Sequence, residues 1–284
     1  MSRTTDIRPI GAALYFIPVT TRVPLKFGPE TLESVTCARV KLRVEARDGR
    51  HAIGWGETPL SVQWVWPSTI SYSDRHDALQ AFTIELAAAW SEFGIQDDPI
   101  QVGYAFQADL LPLLLERFNA LYRTNEEPMP WLAALVCCSL FDIALHDAFG
   151  NLVGLPVYET YTSAYLNEDL SAYLEADADG PSFIGMYPDQ FLVDPRPEQL
   201  AAWHLVGGLD PVSEEDLNGE EPQDGYPVLL EDWITKDGLN CLKIKLRGDD
   251  AEWDLARIIR VGTVAGRHGI EYLTTDFNCT VHDP

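Results

Sequence analysis

Basic residues are scarce in this chain: 20 Lys and Arg stand against 44 Asp and Glu, a formal charge of −24 over 284 residues. Nucleic-acid binding needs basic surface to neutralise phosphate, so that class is excluded. A small anionic ligand is not excluded, because a local lysine pair or a metal ion can dominate one cleft. No run approaches 18 consecutive apolar residues, so no membrane span is expected. The stretch from Met1 to Pro9 is charged and polar and has no apolar core of signal-peptide length. Cysteine is sparse and unpatterned. Cys37, Cys137, Cys138, Cys241 and Cys279 are odd in number, form no Cys-x-x-Cys and lie mostly in apolar runs, where Cys acts as a small buried hydrophobe. A reducing cytoplasm is the expected setting. What is present is a globular composition, 46% hydrophobic and 11% aromatic, in a chain long enough for a large core.

Ile10 to Pro18 reads as a short strand and Val19 to Glu30 as a loop. In Val35 to Ala46, Val40, Leu42 and Val44 alternate with Arg39, Lys41, Arg43 and Glu45, which predicts a strand with one apolar face. The Asp48-Gly49 turn leads back into Ala52 to Glu57, giving a three-stranded antiparallel meander. Helices are predicted over Ser73 to Phe93, stopped by Gly94; over Tyr104 to Tyr122, bent or split at Pro112; and over Pro128 to Phe149, with Pro130 in its first turn. In the third, Asp142 and His146 share a face at a spacing that can bind metal, although no third ligand is near. Leu170 to Leu174 is the candidate for the next strand. Leu209 to Leu230 holds Asp210, Glu214, Glu215, Asp216, Glu220, Glu221 and Asp224, no Lys or Arg, and Pro211, Pro222 and Pro227. It is too polar and too broken for a core element and reads as an insertion, around residues 176–235, either solvated or lying over the active-site face.

Cys241 to Asn278 reads as strand, helix, strand. In Leu242-Lys243-Ile244-Lys245-Leu246 the lysines alternate with apolar residues, so both ammonium groups share one face. Asp276 and Asn278 repeat that spacing after the next apolar run, Ile270 to Leu273. Asp250 to His268 between them has the apolar period of an amphipathic helix and the length of a parallel βαβ crossover. Two lysines on one strand face are not chosen for packing, since a buried ammonium must be paired or neutralised. At the C-terminal end of a barrel strand they would face the chemistry of a (β/α)8 enzyme. Their mutual repulsion would favour the neutral amine of one, which can then act as a base. Asp276 is a hard oxygen donor that suits Mg2+, which would hold a carboxylate substrate opposite that base.

This pattern resembles the mandelate racemase and muconate lactonizing enzyme branch of the enolase superfamily, with Lys243-Ile244-Lys245 ending the second barrel strand and Asp276-Phe277-Asn278 the third. Gly54-Trp55-Gly56-Glu57 is similar to a recurrent stretch of that family. Phe141 to Asp147 followed by Gly150, Gly154 and Pro156 is similar to its helix and turn leading into the barrel. The resemblance implies an α+β capping domain, residues 1–155, followed by an α/β TIM-type barrel, residues 156–284, truncated after about three strands. It implies Lys245 as the base that removes a proton α to a carboxylate, Lys243 as its assistant or carboxylate ligand, and Asp276 as the first Mg2+ ligand. Asn278 is then a polar group contacting substrate. Lys26 and Phe27 in the first capping loop, and Trp64 and Trp66 in or near the second, would help select substrate, and the full-length protein would be a homo-oligomer. Glu57 and His146 are structural in this reading.

A complete (β/α)8 barrel takes about 250 residues, and the residues after Pro156 fall well short of that. The resembled family takes two further acidic metal ligands and a second acid/base from later strands. The expectation is therefore an N-terminal part of a longer Mg2+-dependent racemase, epimerase, sugar-acid dehydratase or cycloisomerase, inactive as 284 residues alone. The alternative is a non-catalytic binding or interaction protein that retains the capping scaffold. A further alternative is an unrelated α/β enzyme using Asp142 and His146 as metal ligands.

Overall fold

The computed structural model describes residues 2–27 and 30–278; the side chain of Phe27, one of the expected loop contacts, and Cys279 lie outside the described residues. Three strands open the chain, β1 (Ile7–Phe27), β2 (Glu30–Ala46) and β3 (His51–Pro59), in sheet order β1-β2-β3. The segment expected to be a loop from Val19 to Glu30 is strand for most of its length, because β1 continues to Phe27 and β2, its neighbour in the sheet, begins at Glu30, the two strands making a long hairpin. By packing the chain divides into Met1–Val19 with Thr36–Arg196, and Thr20–Val35 with Pro197–Pro284.

In the first unit the alternation read from β2 is realised: Val40, Leu42 and Val44 are buried while Arg39 and Arg43 are exposed. β2 pairs antiparallel with β3, placing Val40 opposite Gly56 and Leu42 opposite Gly54. Five helices follow: α1 (Val62–Val65), α2 (Tyr72–Ser91), α3 (Pro99–Ala105), α4 (Leu111–Tyr122) and α5 (Trp131–Val153). Ser71 caps α2 by accepting the Asp74 N–H at 3.1 Å, and Asp98 caps α3 through the Ile100 and Gln101 N–H groups. The break expected near Pro112 is a π turn over Phe106–Leu110 between α3 and α4. The wider turn relieves the clash of the proline ring with the preceding carbonyls, so the helical path continues.

α5 is long and apolar enough to cross a membrane, yet it is the central helix of this core, with Ala133, Cys137, Leu140, Phe141, Ala144 and Ala148 buried. It crosses β3 with almost no side chain between the two backbones. A Cβ on Gly56 would lie 1.9 Å from the Leu140 carbonyl oxygen, and one on Gly54 2.0 Å from that of Ala144. Trp90 stacks on Phe106 at 4.0 Å and 12°, with Phe141 beyond. Gly154, at φ 73°, ends α5. Burial pushes the Cys137 thiol up to about 12, so it is inert at neutral pH.

The strand expected at Leu170 to Leu174 is absent. Asp169 accepts the Ser171 and Gly185 N–H groups, and this local capping folds Leu170–Ala172 into a single 3-10 turn. The first parallel strand is instead β4 (Trp203–Val206), inside the region read as insertion. The second unit continues with α6 (Leu230–Asp237), β5 (Cys241–Lys245), α7 (Ala251–Arg267) and β6 (Tyr272–Asp276). The strands are parallel in the order β4-β5-β6, with Leu205 beside Lys243, Lys243 beside Thr274 and Lys245 beside Asp276. Leu242, Ile244 and Leu246 turn to the helices, in one core with Val261, Val264 and Ala265 of α7 and Leu230 and Ile234 of α6. The acidic run lies between β4 and α6. It is not wholly solvated: Val212 is buried, and Asp216 closes a capping box with Ser213 while binding Arg260.

Candidate functional site

The face of β5 opposite the helices carries Cys241, Lys243 and Lys245, as period-two alternation requires. The parallel register sets Asp276 beside Lys245 at the strand ends, and the ladder extends past β5 through a Leu246 N–H bond to the Asp276 carbonyl of 3.0 Å. Both ammonium groups converge on one oxygen: Lys243 Nζ lies 2.8 Å and Lys245 Nζ 2.7 Å from Asp276 Oδ2. Lys245 also donates to Asn278 Oδ1 at 2.7 Å. Burial alone would raise the Asp276 carboxyl, but the hydrogen bonds from Lys243 and Lys245 outweigh it and hold that group well below the usual carboxylate range. The repulsion expected between the lysines is thus offset by a shared counter-charge, which sequence reading had assigned to a metal.

α7 is anchored beside this site by charges that sequence reading missed. Asp254 is buried and accepts the Arg247 and Gly248 N–H groups at 2.7 and 2.8 Å, fixing the turn that leaves β5. Arg257, also buried, donates to the Gly207 and Asp210 carbonyls and ties α7 to the turn after β4. Their signal was present in the sequence as charged residues at core-facing positions of an amphipathic helix.

Of the residues expected to select substrate, Lys26 belongs to this unit. Its carbonyl accepts the Gly208 N–H at 3.1 Å, just past the end of β4, and its side-chain stem lies against Gly208. The hairpin is held there by Arg22, which grips Asp224 through two hydrogen bonds of 2.6 and 2.8 Å and donates to the Tyr226 and Pro227 carbonyls. A cavity of about 790 Å3 lies between Arg22–Leu25, His204 and Val206 of β4, Trp233 of α6 and the acidic run; the lysines and Asp276 do not line it. Trp64 sits in the other unit, on α1, and is exposed. Trp66 is a core residue of that unit: it is 1% exposed, with Nε1 donating to Glu127 and Arg123 over its ring. Glu57 pairs with Arg39 on the sheet surface.

Asp142 and His146 do not assemble a metal centre. The His146 ring contacts the Tyr161 hydroxyl at 3.2 Å, and among the described residues no group of three His, Cys, Asp or Glu could hold a metal. The same count applies to Asp276. Its Oδ2 is taken by two ammonium groups and its Oδ1 accepts the Asn278 N–H, so the described residues do not by themselves fit a Mg2+ cage.

No protein-family model matches the sequence, and no curated protein matches it. Solved structures do. A dipeptide epimerase from Cytophaga hutchinsonii, complexed with Mg and D-Ala-L-Val, superposes with a TM-score of 0.51 at 20% identity, over 95% of this chain and 52% of that one. A dipeptide epimerase from Enterococcus faecalis, complexed with Mg and L-Leu-L-Tyr, gives 0.50 at 15% identity, over 95% of this chain and 54% of its own. A mandelate racemase/muconate lactonizing protein from Herpetosiphon aurantiacus gives 0.47 at 15%, over 98% and 55%. The chain therefore spans about half the length of the proteins it is similar to. At these identities the likeness shows the fold alone, an α+β capping domain followed by part of a barrel.

Proposed function

We propose that the ends of β5 and β6 are the proton-abstracting half of an active site for a small carboxylate, in a racemase, epimerase or lyase of which this chain is one part. The observation that supports this best is the placing of two lysines, one carboxylate and one amide on adjacent parallel strand ends, where the fold keeps its chemistry. In this reading Lys245, as the free amine, takes the proton α to the substrate carboxylate. The ammonium so formed donates to Asp276 and Asn278. Lys243, whose side chain is 39% exposed against 13% for Lys245, is the more available of the two to pair with the substrate carboxylate. Mg2+ belongs to the proposal only for the whole protein, as the Mg in the two epimerase complexes supports; Asp276 offers one ligand, further carboxylates would come from outside the described residues, and no step here runs through the ion. A cytoplasmic setting and a homo-oligomeric whole protein are parts of the same proposal, and the 284-residue chain alone is expected to be inactive.

The test follows deuterium entering the α-carbon of dipeptides and N-acyl amino acids in D2O with Mg2+, which registers proton abstraction whatever the product. The native gene product should exchange the α-proton, and Lys245→Met should lower the rate by about 10²–10⁴-fold. Absence of exchange on every substrate would favour the second reading, a binding protein in which the cluster is only structural. That reading has its own support, since both lysines already pair with Asp276.

A further inference from the structure

The two lysines of the cluster are held unequally. Both reach Asp276 Oδ2, but Lys245 has a second acceptor in Asn278 Oδ1 at 2.7 Å. Asn278 is itself fixed from three directions. Its N–H donates to Asp276 Oδ1 at 2.8 Å, its Nδ2 donates to the Leu246 carbonyl at 2.8 Å, and its backbone sits at φ 54°, a left-handed conformation that Asn adopts more readily than most residues. With the donor end of the amide bound to the strand that carries Lys245, the acceptor end is turned to the Lys245 ammonium. A carboxylate shared by two ammonium groups does not choose between them; a neutral acceptor placed beside one of them does.

We propose that Asn278 is a positioning residue for Lys245, cross-linking the ends of β5 and β6 so that the Nζ of Lys245, and not that of Lys243, is held in one place. This rests on the reading of Lys245 as the base and differs from the substrate contact that the family resemblance implied for Asn278. It accounts for the left-handed residue two positions after the end of β6: the chain must turn there for one amide to reach both Leu246 and Lys245. In the ammonium form of Lys245, Asn278 Oδ1 is a second acceptor beside Asp276 Oδ2, and one that Lys243 does not share.

The experiment uses the 284-residue chain labelled with ¹⁵N-lysine and follows exchange of Nζ hydrogens with water at one fixed pH. Asn278→Gly keeps the left-handed backbone and removes the amide, whereas Asn278→Asp keeps an acceptor on the same backbone. Exchange at Lys245 should quicken roughly tenfold in Asn278→Gly, as expected for loss of a hydrogen bond to a charged group, and return towards the parent rate in Asn278→Asp. Lys243 should change less than about twofold in both, since it keeps the carboxylate. Equal acceleration at both lysines, or none at Lys245, overturns the proposal. So does an Asn278→Asp chain in which Lys245 exchanges as fast as in Asn278→Gly, which also covers the case of a loosened β6. No turnover enters this readout, so Asn278 can fail as a positioning residue while Lys245 remains a base. Conversely, the D2O experiment can fail while the unequal protection stands.

Discussion

β3 and β5 are both strands packed against helices, and they solve opposite problems. β3 meets α5 through Gly54 and Gly56, where backbone lies on backbone and no side chain can be added. β5 buries Leu242 and Ile244 on one face and carries Lys243 and Lys245 on the other. The first contact is specified by the absence of side-chain volume and gains from dispersion and desolvation over a tight surface. The second holds like charges close together and needs Asp276 to offset them. The contrast separates a surface selected for fit from a surface selected for what it can do. Nothing in the packing of β5 requires lysine, whereas β3 requires glycine.

The comparison breaks most visibly at Gly56. Gly56→Ala drives a methyl into the Leu140 carbonyl, with the Ala144 nitrogen 2.8 Å away, and backbone atoms cannot swing aside as a flexible side chain can. A loss of about 3 kcal/mol or more is expected in urea unfolding of the first unit. A change under about 0.5 kcal/mol would show that β3 lifts freely from α5. A smaller effect is expected at Asp276. Asp276→Asn leaves two ammonium groups facing a neutral amide, at a cost of about 1–2 kcal/mol for a partly buried pair, read as faster amide exchange in β5 and β6. Because the native carboxyl is held below its ordinary range, its contribution is present above that range and fades as the pH falls below it. Asp276→Asn should remove that acid dependence from β5 and β6 while leaving the first unit unchanged.

How far the sequence could be read follows the same division. The β2 alternation, the presence of the helices and the Lys-x-Lys and Asp-x-Asn strand ends were legible because period-two and period-3.6 patterns are local, although the helix read from Tyr104 starts at Pro99, capped by Asp98. The extended hairpin was not, since Pro24 and Gly28 look like loop residues and only pairing makes strands of their neighbours. β4 was hidden because four residues, Trp203–Val206, are too few to show a pattern and stand between polar segments. Leu170 to Leu174 misled because an apolar pentapeptide carries no sign of the Asp169 cap that coils its start. In the site, sequence spacing gave the shared face. It did not give the meeting of both lysines on one oxygen, which depends on the register of β5 against β6.

The smallest expected effect sharpens the comparison on its polar side, where the hairpin meets the acidic run. Asp224 is held down to about 2 chiefly by its hydrogen bonds from Arg22, with burial opposing. A depressed carboxylate adds stability above its unfolded value, near 3.8, and loses it as the pH falls through the folded value. The grip of Arg22 should therefore be unchanged from pH 7 to about 4 and released between about 4 and 2, followed by the Arg22 Nε–H resonance. Asp224→Asn should leave Arg22 the Tyr226 and Pro227 carbonyls and a neutral amide oxygen, and abolish that acid step. Since the two side chains are 28% and 40% exposed, salt should also loosen the parent contact, which it cannot do to Gly56 against Leu140. Release of Arg22 already above pH 5 would mean that the hairpin is held by packing, and the division between a contact of shape and a contact of charge would then fail at this end of the molecule.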